Sequence, residues 1–131
     1  MATSPTQRTL KYYRDQGHLA WVVERFIQRP GGFGFRSDLF KIIDLIVLDK
    51  ERGIVGVQST GQDFAGHKRT LLEEQAFYSR AWIEAGGTLE LMGWRRVKKV
   101  RGGKAMVWSP RILTITLDML PDPADIENQS E

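Results

Sequence analysis

The chain has 131 residues, of which 41% are hydrophobic and 27% charged, a balance typical of a single globular domain. The absence of cysteine excludes disulfides, thiolate metal sites and a cysteine nucleophile. The sequence has neither the run of about 18 apolar residues that a transmembrane helix needs nor an apolar signal core at its start, so we expect a cytoplasmic protein.

The net charge is only +3, but the charge is unevenly distributed along the chain. Every charged residue between Leu91 and Leu117 is basic, whereas every charged residue from Asp118 onward is acidic. The basic set consists of Arg95, Arg96, Lys98, Lys99, Arg101, Lys104 and Arg111. A local basic field attracts phosphates even when the whole chain is nearly neutral, so this segment is a candidate nucleic-acid-binding surface. The alternative is a solvated hairpin whose charges serve solubility.

The predicted elements begin with a helix that Ser4 caps, that Pro5 starts and that Gly17 ends. The stretch HLAWVVERFIQ is rich in β-branched and aromatic residues and predicts a strand. The loop RPGGFGF follows, and it lacks the lysine and the helix that a phosphate-binding loop requires. A near-continuous apolar run predicts a buried strand over residues 39–48, and IVGVQST predicts the next strand after the turn DKERG.

A long helix is predicted over about residues 63–84 from its apolar face, and Lys68 falls within that face. A lysine there either extends to solvent or points at an anionic group. His67 is predicted as a surface residue near the helix start, with a role near phosphate as the alternative. Strands then follow on both sides of a Gly-Gly turn and form a basic hairpin. The acidic residues 121–131 are predicted to be a disordered tail, which leaves residues 1–120 as one α/β domain.

Polar side chains gather where the two predicted central strands meet. Asp44 lies in the first strand and Gln58 near the end of the second, so the turn between them brings the two close across the ladder. Thr60 follows Gln58 by two residues and therefore points to the same side. Oxygen ligands of this kind suit Mg²⁺, which usually takes one or two carboxylates together with water and substrate phosphate. The alternative is the ordinary polarity of a strand end.

The order α-β-β-β-α-β around these residues resembles that of the PD-(D/E)XK nuclease superfamily, whose restriction-endonuclease-like fold has an αβββαβ core with a mixed central sheet flanked by helices. The stretch DLFKIIDLIVLDKERGIVGVQSTG looks particularly like small phage and bacterial members in which glutamine replaces the acid. The resemblance covers residues 6–94. Asp44 matches the metal-binding aspartate of the family, Gln58 matches the acid position, and Thr60 matches the lysine position.

The resemblance implies a Mg²⁺ or Mn²⁺ ion held by Asp44, Gln58 and the backbone carbonyl of Ser59. Such an ion activates water and offsets the charge on a scissile phosphate. The family lysine helps to orient or deprotonate that water.

The sequence departs from the family pattern at two positions, since Gln58 carries no negative charge and Thr60 no positive charge. Lys68 is the candidate to replace the lysine from the following helix. Glu24 is the candidate to supply the missing carboxylate, with Asp38 as a third acidic candidate.

The function that the resemblance implies is that of a metal-dependent DNA endonuclease acting on branched, nicked or double-stranded DNA, with a homodimer making the two cuts. Trp94 and Trp108, which flank the basic residues, either stack on an unpaired base or fill the core. Two other functions stay open. The residues at positions 58 and 60 favour a catalytically inactive nucleic-acid-binding module on the same fold. A small protein-interaction domain would instead use the basic hairpin as its docking surface.

Overall fold

The computed structural model describes residues 3–129, and five strands form one mixed sheet. The strands lie in the order β1 (Leu19–Val22), β4 (Leu45–Asp49), β5 (Gly53–Thr60), β6 (Thr88–Lys98) and β7 (Met106–Ile115). Only β5 and β6 are parallel, and the other neighbours are antiparallel. A separate two-stranded sheet pairs β2 (Arg25–Gln28) with β3 (Gly34–Ser37). The predicted α/β class with a mixed sheet is therefore confirmed.

Helix α1 (Pro5–Asp15) covers one face of the sheet. Its start is the predicted one, because the Ser4 hydroxyl accepts a hydrogen bond from the Gln7 N–H at 3.1 Å. Leu10 and Tyr13 of α1 pack against buried side chains of β4, β5 and β6 to form one core cluster. Helix α1 thus covers one face of the sheet, and the second helical region, residues 64–84, covers the opposite face.

The predicted long helix is interrupted. Helix α2 (Phe64–Arg69) runs into a π-helical turn (Thr70–Glu74), and helix α3 (Ala76–Glu84) follows. A π turn inserts an extra residue and rotates the side chains before it relative to those after it. A single helical projection over residues 63–84 therefore misplaces residues, and the consequence for Lys68 is described below. The fully buried Leu71 of the turn belongs to the core cluster on this second face.

The first predicted strand is also divided, because the chain leaves the main sheet after β1. The backbone N–H groups of Val23 and Glu24 both donate to the Asp44 carbonyl, at 2.9 and 3.0 Å. The chain then forms the β2–β3 hairpin outside the main sheet. The strand predicted over residues 39–48 begins only at Leu45, because the preceding residues form a turn in which Phe40 and Lys41 have positive φ.

Strands β6 and β7 extend beyond the rest of the sheet. β5 pairs with β6 only as far as Gly93, and residues 94–98 of β6 pair with residues 106–110 of β7 alone. We call this two-stranded extension, residues 94–110, the arm. The side chains of the seven basic residues predicted to bind nucleic acid are all exposed, six of them on the arm and Arg111 at its base. No helix within residues 3–129 is long and apolar enough to cross a membrane.

The C-terminal residues make contacts in the structure, although the sequence predicts disorder there. The Arg80 guanidinium donates to the Pro121 carbonyl and the Tyr78 hydroxyl donates to the Gln129 carbonyl, both at 2.8 Å. Ile126 packs against the core cluster that contains α3. Residues 121–129 therefore lie against the second helical region, and the last two residues of the predicted tail fall outside the described range.

The buried Glu90 generates a prediction about stability. Arg52 donates to one of its oxygens at 2.8 Å, yet burial raises the pKa of Glu90 to about 7 from its ordinary 4.5. Between these values the folded state holds a proton that the unfolded state has released, so stability falls as pH rises. Glu90→Gln removes this effect. We expect the stability advantage of the variant over wild type to grow by about 1–3 kcal/mol as the pH rises from 4.5 to 8. Urea unfolding across this range measures the difference.

The exposed Glu84 at the end of α3 provides the matched control, and Glu84→Gln should unfold with the pH dependence of wild type. A Glu90→Gln variant whose difference from wild type is the same at both ends of the range would contradict the interpretation.

Candidate functional site

Three carboxylates meet beside the main sheet. Glu24, Asp38 and Asp44 each offer one oxygen, and these three oxygens lie within 4.8 Å of one another. The β2–β3 hairpin brings the first two together, because Arg25 pairs with Ser37 and the residues just outside this pair are Glu24 and Asp38. The hydrogen bond from the Glu24 N–H to the Asp44 carbonyl adds the third. We call these three residues the acidic cluster.

The buried member of the acidic cluster, Asp44, lies in surroundings that disfavour its ionised form. Asp44 is only 4% exposed, and one of its oxygens accepts the Ser59 N–H at 2.7 Å. Burial raises the pKa of Asp44 to about 9, helped by the hydrogen bond and charge of Asp38 and by the charge of Glu24, and opposed by the Ser59 N–H. The ion pair to this cluster is a long one, from the exposed Arg36 to Glu24 at 3.7 Å.

A donor set of three carboxylates fits a hard divalent cation such as Mg²⁺ or Mn²⁺, which prefers oxygen ligands. The positive charge of such a cation would oppose the burial and the neighbouring carboxylates that together raise the pKa of Asp44. The residues present therefore fit the expected metal, with Glu24 and Asp38 beside Asp44, whereas the resemblance implied Asp44, Gln58 and the Ser59 carbonyl.

Gln58 is buried, and both ends of its amide are hydrogen-bonded. Its Nε2 donates to the Ile42 carbonyl at 3.0 Å, and its Oε1 lies 2.8 Å from Nδ1 of His67. A carbonyl only accepts, so Ile42 sets the orientation of the amide and assigns the proton on His67 to Nδ1. The Gln58 oxygen is thus used in positioning His67, and Nε2 is the ring nitrogen that this bond leaves available.

Ser59 and Thr60 are buried at the end of β5. The Ser59 hydroxyl donates to Thr9 of α1 at 2.9 Å, and Trp94 donates to the same Thr9 oxygen at 2.9 Å. The Ser59 backbone binds Asp44 on one side while its side chain binds α1 on the other. This arrangement holds the end of β5 rigidly beside the acidic cluster, and Thr60 contributes no charge there.

Of the two alternatives for Lys68, the structure shows the one in which the side chain extends to solvent, since Lys68 is exposed on α2. His67 instead turns inward to Gln58, contrary to its prediction as a surface residue. The π turn that follows α2 explains the error, since the apolar face of α3 does not continue straight into α2. A signal for His67 was present in the sequence, because a glutamine in a buried strand needs a polar partner from the helix packed on it.

Two guanidinium–aromatic stacks join the arm to the helices. The Arg111 guanidinium lies 4.1 Å from the ring centroid of Phe64 in α2, and that of Arg8 in α1 lies 4.0 Å from the ring centroid of Trp108. Arg8 was not among the predicted nucleic-acid-binding residues. The basic surface begins close to the acidic cluster, since Gly93 at the base of the arm pairs with Thr60 of β5.

Comparison of the chain with protein-family models, with curated proteins and with solved structures gave no match.

The acidic cluster predicts opposite effects of one substitution on stability and on metal binding. Asp44→Asn keeps an oxygen for the Ser59 N–H and removes the cost of burying this carboxyl, which takes up a proton on folding at neutral pH because its pKa is about 9, so we expect the metal-free protein to gain about 1–2 kcal/mol in free energy of unfolding. Mg²⁺ or Mn²⁺ should raise the melting temperature of wild type but not that of the variant. Thermal unfolding with EDTA and with each metal measures both effects.

Asp49→Asn supplies the contrasting control. Hydrogen bonds from Arg52 and from two backbone N–H groups hold the pKa of Asp49 down to about 2, so removing that charge should destabilise the protein and leave the metal effect intact. Loss of stability in Asp44→Asn without metal would contradict the account of the acidic cluster.

Proposed function

We propose that this protein is a divalent-metal-dependent DNA endonuclease. The observation that carries the proposal is that Glu24, Asp38 and Asp44 converge at the end of β5. The neighbouring strand, β6, extends beyond that end into the exposed basic arm. Carboxylates in one cluster suit a metal, and arginines and lysines beside them suit the phosphates on which such a metal acts.

The order of elements supports the same proposal. Leaving out the β2–β3 hairpin, the chain passes through α1, β1, β4, β5, the second helical region and β6, which is the αβββαβ order of the restriction-endonuclease-like fold. In the PD-(D/E)XK superfamily that this order resembles, the metal-binding aspartate and the acid lie on adjacent central strands. Asp44 and Gln58 occupy such adjacent positions, since Leu45 pairs with Val57 in antiparallel register.

The proposed roles follow from the contacts of each side chain. Asp44, Asp38 and Glu24 hold the cation, which when bound activates water and offsets the charge of the scissile phosphate. Gln58 holds the His67 ring so that Nε2 accepts a hydrogen bond from the attacking water and orients it. The exposed arginines and lysines of the arm bind the DNA backbone.

A DNA-binding module without catalysis is the second candidate. The observations that favour it are the hydrogen bonds that occupy both ends of the Gln58 amide and the exposure of Lys68, which leave no lysine at the position the family uses.

Incubation of purified protein with supercoiled plasmid in Mg²⁺, Mn²⁺ or EDTA distinguishes the two candidates. We expect conversion to nicked or linear plasmid with metal only, and none with Asp44→Asn, because the cluster then lacks one of its three carboxylates. The exposed Asp15 of α1 gives the matched control, and Asp15→Asn should cut like wild type. Retarded plasmid without any cutting would favour the binding module.

Whether the product is nicked or linear plasmid tests the oligomeric state of the protein. One acidic cluster cuts one strand at a time, so we propose that linear product requires two copies of the chain. A rate of linearisation that rises more steeply than the first power of protein concentration is the expected result.

Substitutions of His67 and of its neighbour Lys68 in α2 test the proposed role of His67. His67→Ala removes the side chain that Gln58 positions, and we expect cleavage to slow about 100-fold. Lys68→Ala, the adjacent exposed substitution, should leave the rate close to that of wild type. Initial rates of plasmid nicking provide the measurement, and the reverse ranking would restore the lysine as the important group.

A further inference from the structure

We infer that a cleft at the base of the arm binds an unpaired nucleotide, so that the preferred DNA contains a gap, a flap or a branch. The part of this inference that concerns cutting rests on the proposed function. The binding of an unpaired nucleotide does not, and it is testable without metal.

The cleft has a volume of about 420 Å³ and lies along the edge of β6 that β5 no longer covers. Small-molecule sites in proteins have volumes of about 300–1,000 Å³, so the cleft has the size of a site for a single small group. Because β5 ends at Thr60 and pairs with β6 only as far as Gly93, no strand within residues 3–129 pairs with this edge of β6 beyond Gly93. Backbone N–H and C=O groups on such an edge can hydrogen-bond a ligand.

Aromatic rings line the cleft from opposite faces of the sheet. Trp108 lies on the face of α1, where Arg8 stacks on it, and Phe64 approaches from α2 on the other face. The structure distinguishes the two tryptophans of this region, since Trp94 is buried and hydrogen-bonded to Thr9 whereas Trp108 is 46% exposed. Trp108 is therefore the ring available for stacking, and Trp94 belongs to the core.

The Phe64 ring forms one wall of the cleft and packs against β6 where Gly93 has no side chain. A Cβ on Gly93 would lie 2.5 Å from the Phe64 ring, so only glycine allows this ring to rest on β6. Arg111, which pairs with Gly93 across the ladder, stacks on the same ring at 4.1 Å. The ring is thus held between a strand and a guanidinium.

The cleft combines the exposed ring of Trp108 with positive charge, since Arg95, Arg96 and Arg111 also line it. Aromatic platforms with neighbouring arginines bind single-stranded nucleic acid by base stacking and phosphate contact. A base in a continuous duplex is already stacked on both sides and exposes only its edges. The chemistry of the cleft therefore matches a base that is unpaired, with its own phosphate on the arginines.

The position of the cleft relates this nucleotide to the acidic cluster. Gly61, which lines the cleft, is two residues from Ser59, whose backbone N–H binds Asp44. An unpaired nucleotide in the cleft would therefore lie close to the acidic cluster. The enzyme would accordingly cut near a junction between paired and unpaired DNA.

Binding in EDTA to four labelled DNAs of equal length tests the inference: a continuous duplex, a duplex with a one-nucleotide gap, a flap and a three-way branch. We expect wild type to bind the three interrupted DNAs about tenfold more tightly than the duplex, as stacking of one base would provide. Trp108→Ala should lose most of that preference while retaining duplex binding, and Trp108→Phe should retain it. Fluorescence anisotropy measures all of these affinities.

Trp21 provides the matched control, because it is 71% exposed on β1, at the sheet edge opposite to β7. Trp21→Ala should bind every DNA like wild type. Equal affinity of wild type for continuous and interrupted DNA would overturn the inference, as would an equal loss in Trp21→Ala.

Measurement in EDTA separates this inference from the proposed nuclease function. Metal-dependent cutting without preference for a junction would refute the nucleotide cleft and leave the nuclease standing. A preference for interrupted DNA without cutting in any metal would refute the nuclease and support the cleft.

Discussion

The hydrogen bonds of Asp44 hold together the part of the structure on which the candidate site depends. Its carbonyl accepts the N–H groups of Val23 and Glu24, its own N–H donates to Val57, and its carboxylate accepts the N–H of Ser59. One residue thus ties the end of β1, the start of β4 and the end of β5 together. Asp44 is only 4% exposed in this position, so its carboxylate is desolvated and burial raises its pKa.

Opposite charges are arranged on the two sides of the end of β5. The acidic cluster lies toward β4, and the basic arm extends from β6. One phosphodiester group approaching the end of β5 would meet fixed positive charge on the arm, while the next group along the DNA backbone would approach the acidic cluster. The second approach is repulsive unless a cation is bound. Under the proposed function, this repulsion would make the binding of metal and DNA cooperative.

Local sequence patterns predicted the elements that local interactions determine. The Ser4 cap and the hydrophobic run of β5 are examples, and the turn predicted between the two central strands placed the polar end of β5 close to Asp44, where the Ser59 N–H binds the Asp44 carboxylate. The patterns failed where distant groups decide. The chain leaves the sheet after Val22 because of hydrogen bonds to Asp44, and the inward turn of His67 depends on Gln58 and on a π turn. Propensity and helical periodicity contain no information about such partners.

The β2–β3 hairpin supplies the acidic cluster only from its base, since Glu24 and Asp38 lie just outside its first pair, Arg25 with Ser37. Its tip, residues 29–33, lies at the opposite end of the hairpin and is exposed. Length and sequence at the tip are therefore uncoupled from the geometry of the carboxylates. A longer or shorter hairpin would keep the same acidic cluster while presenting a different exposed surface.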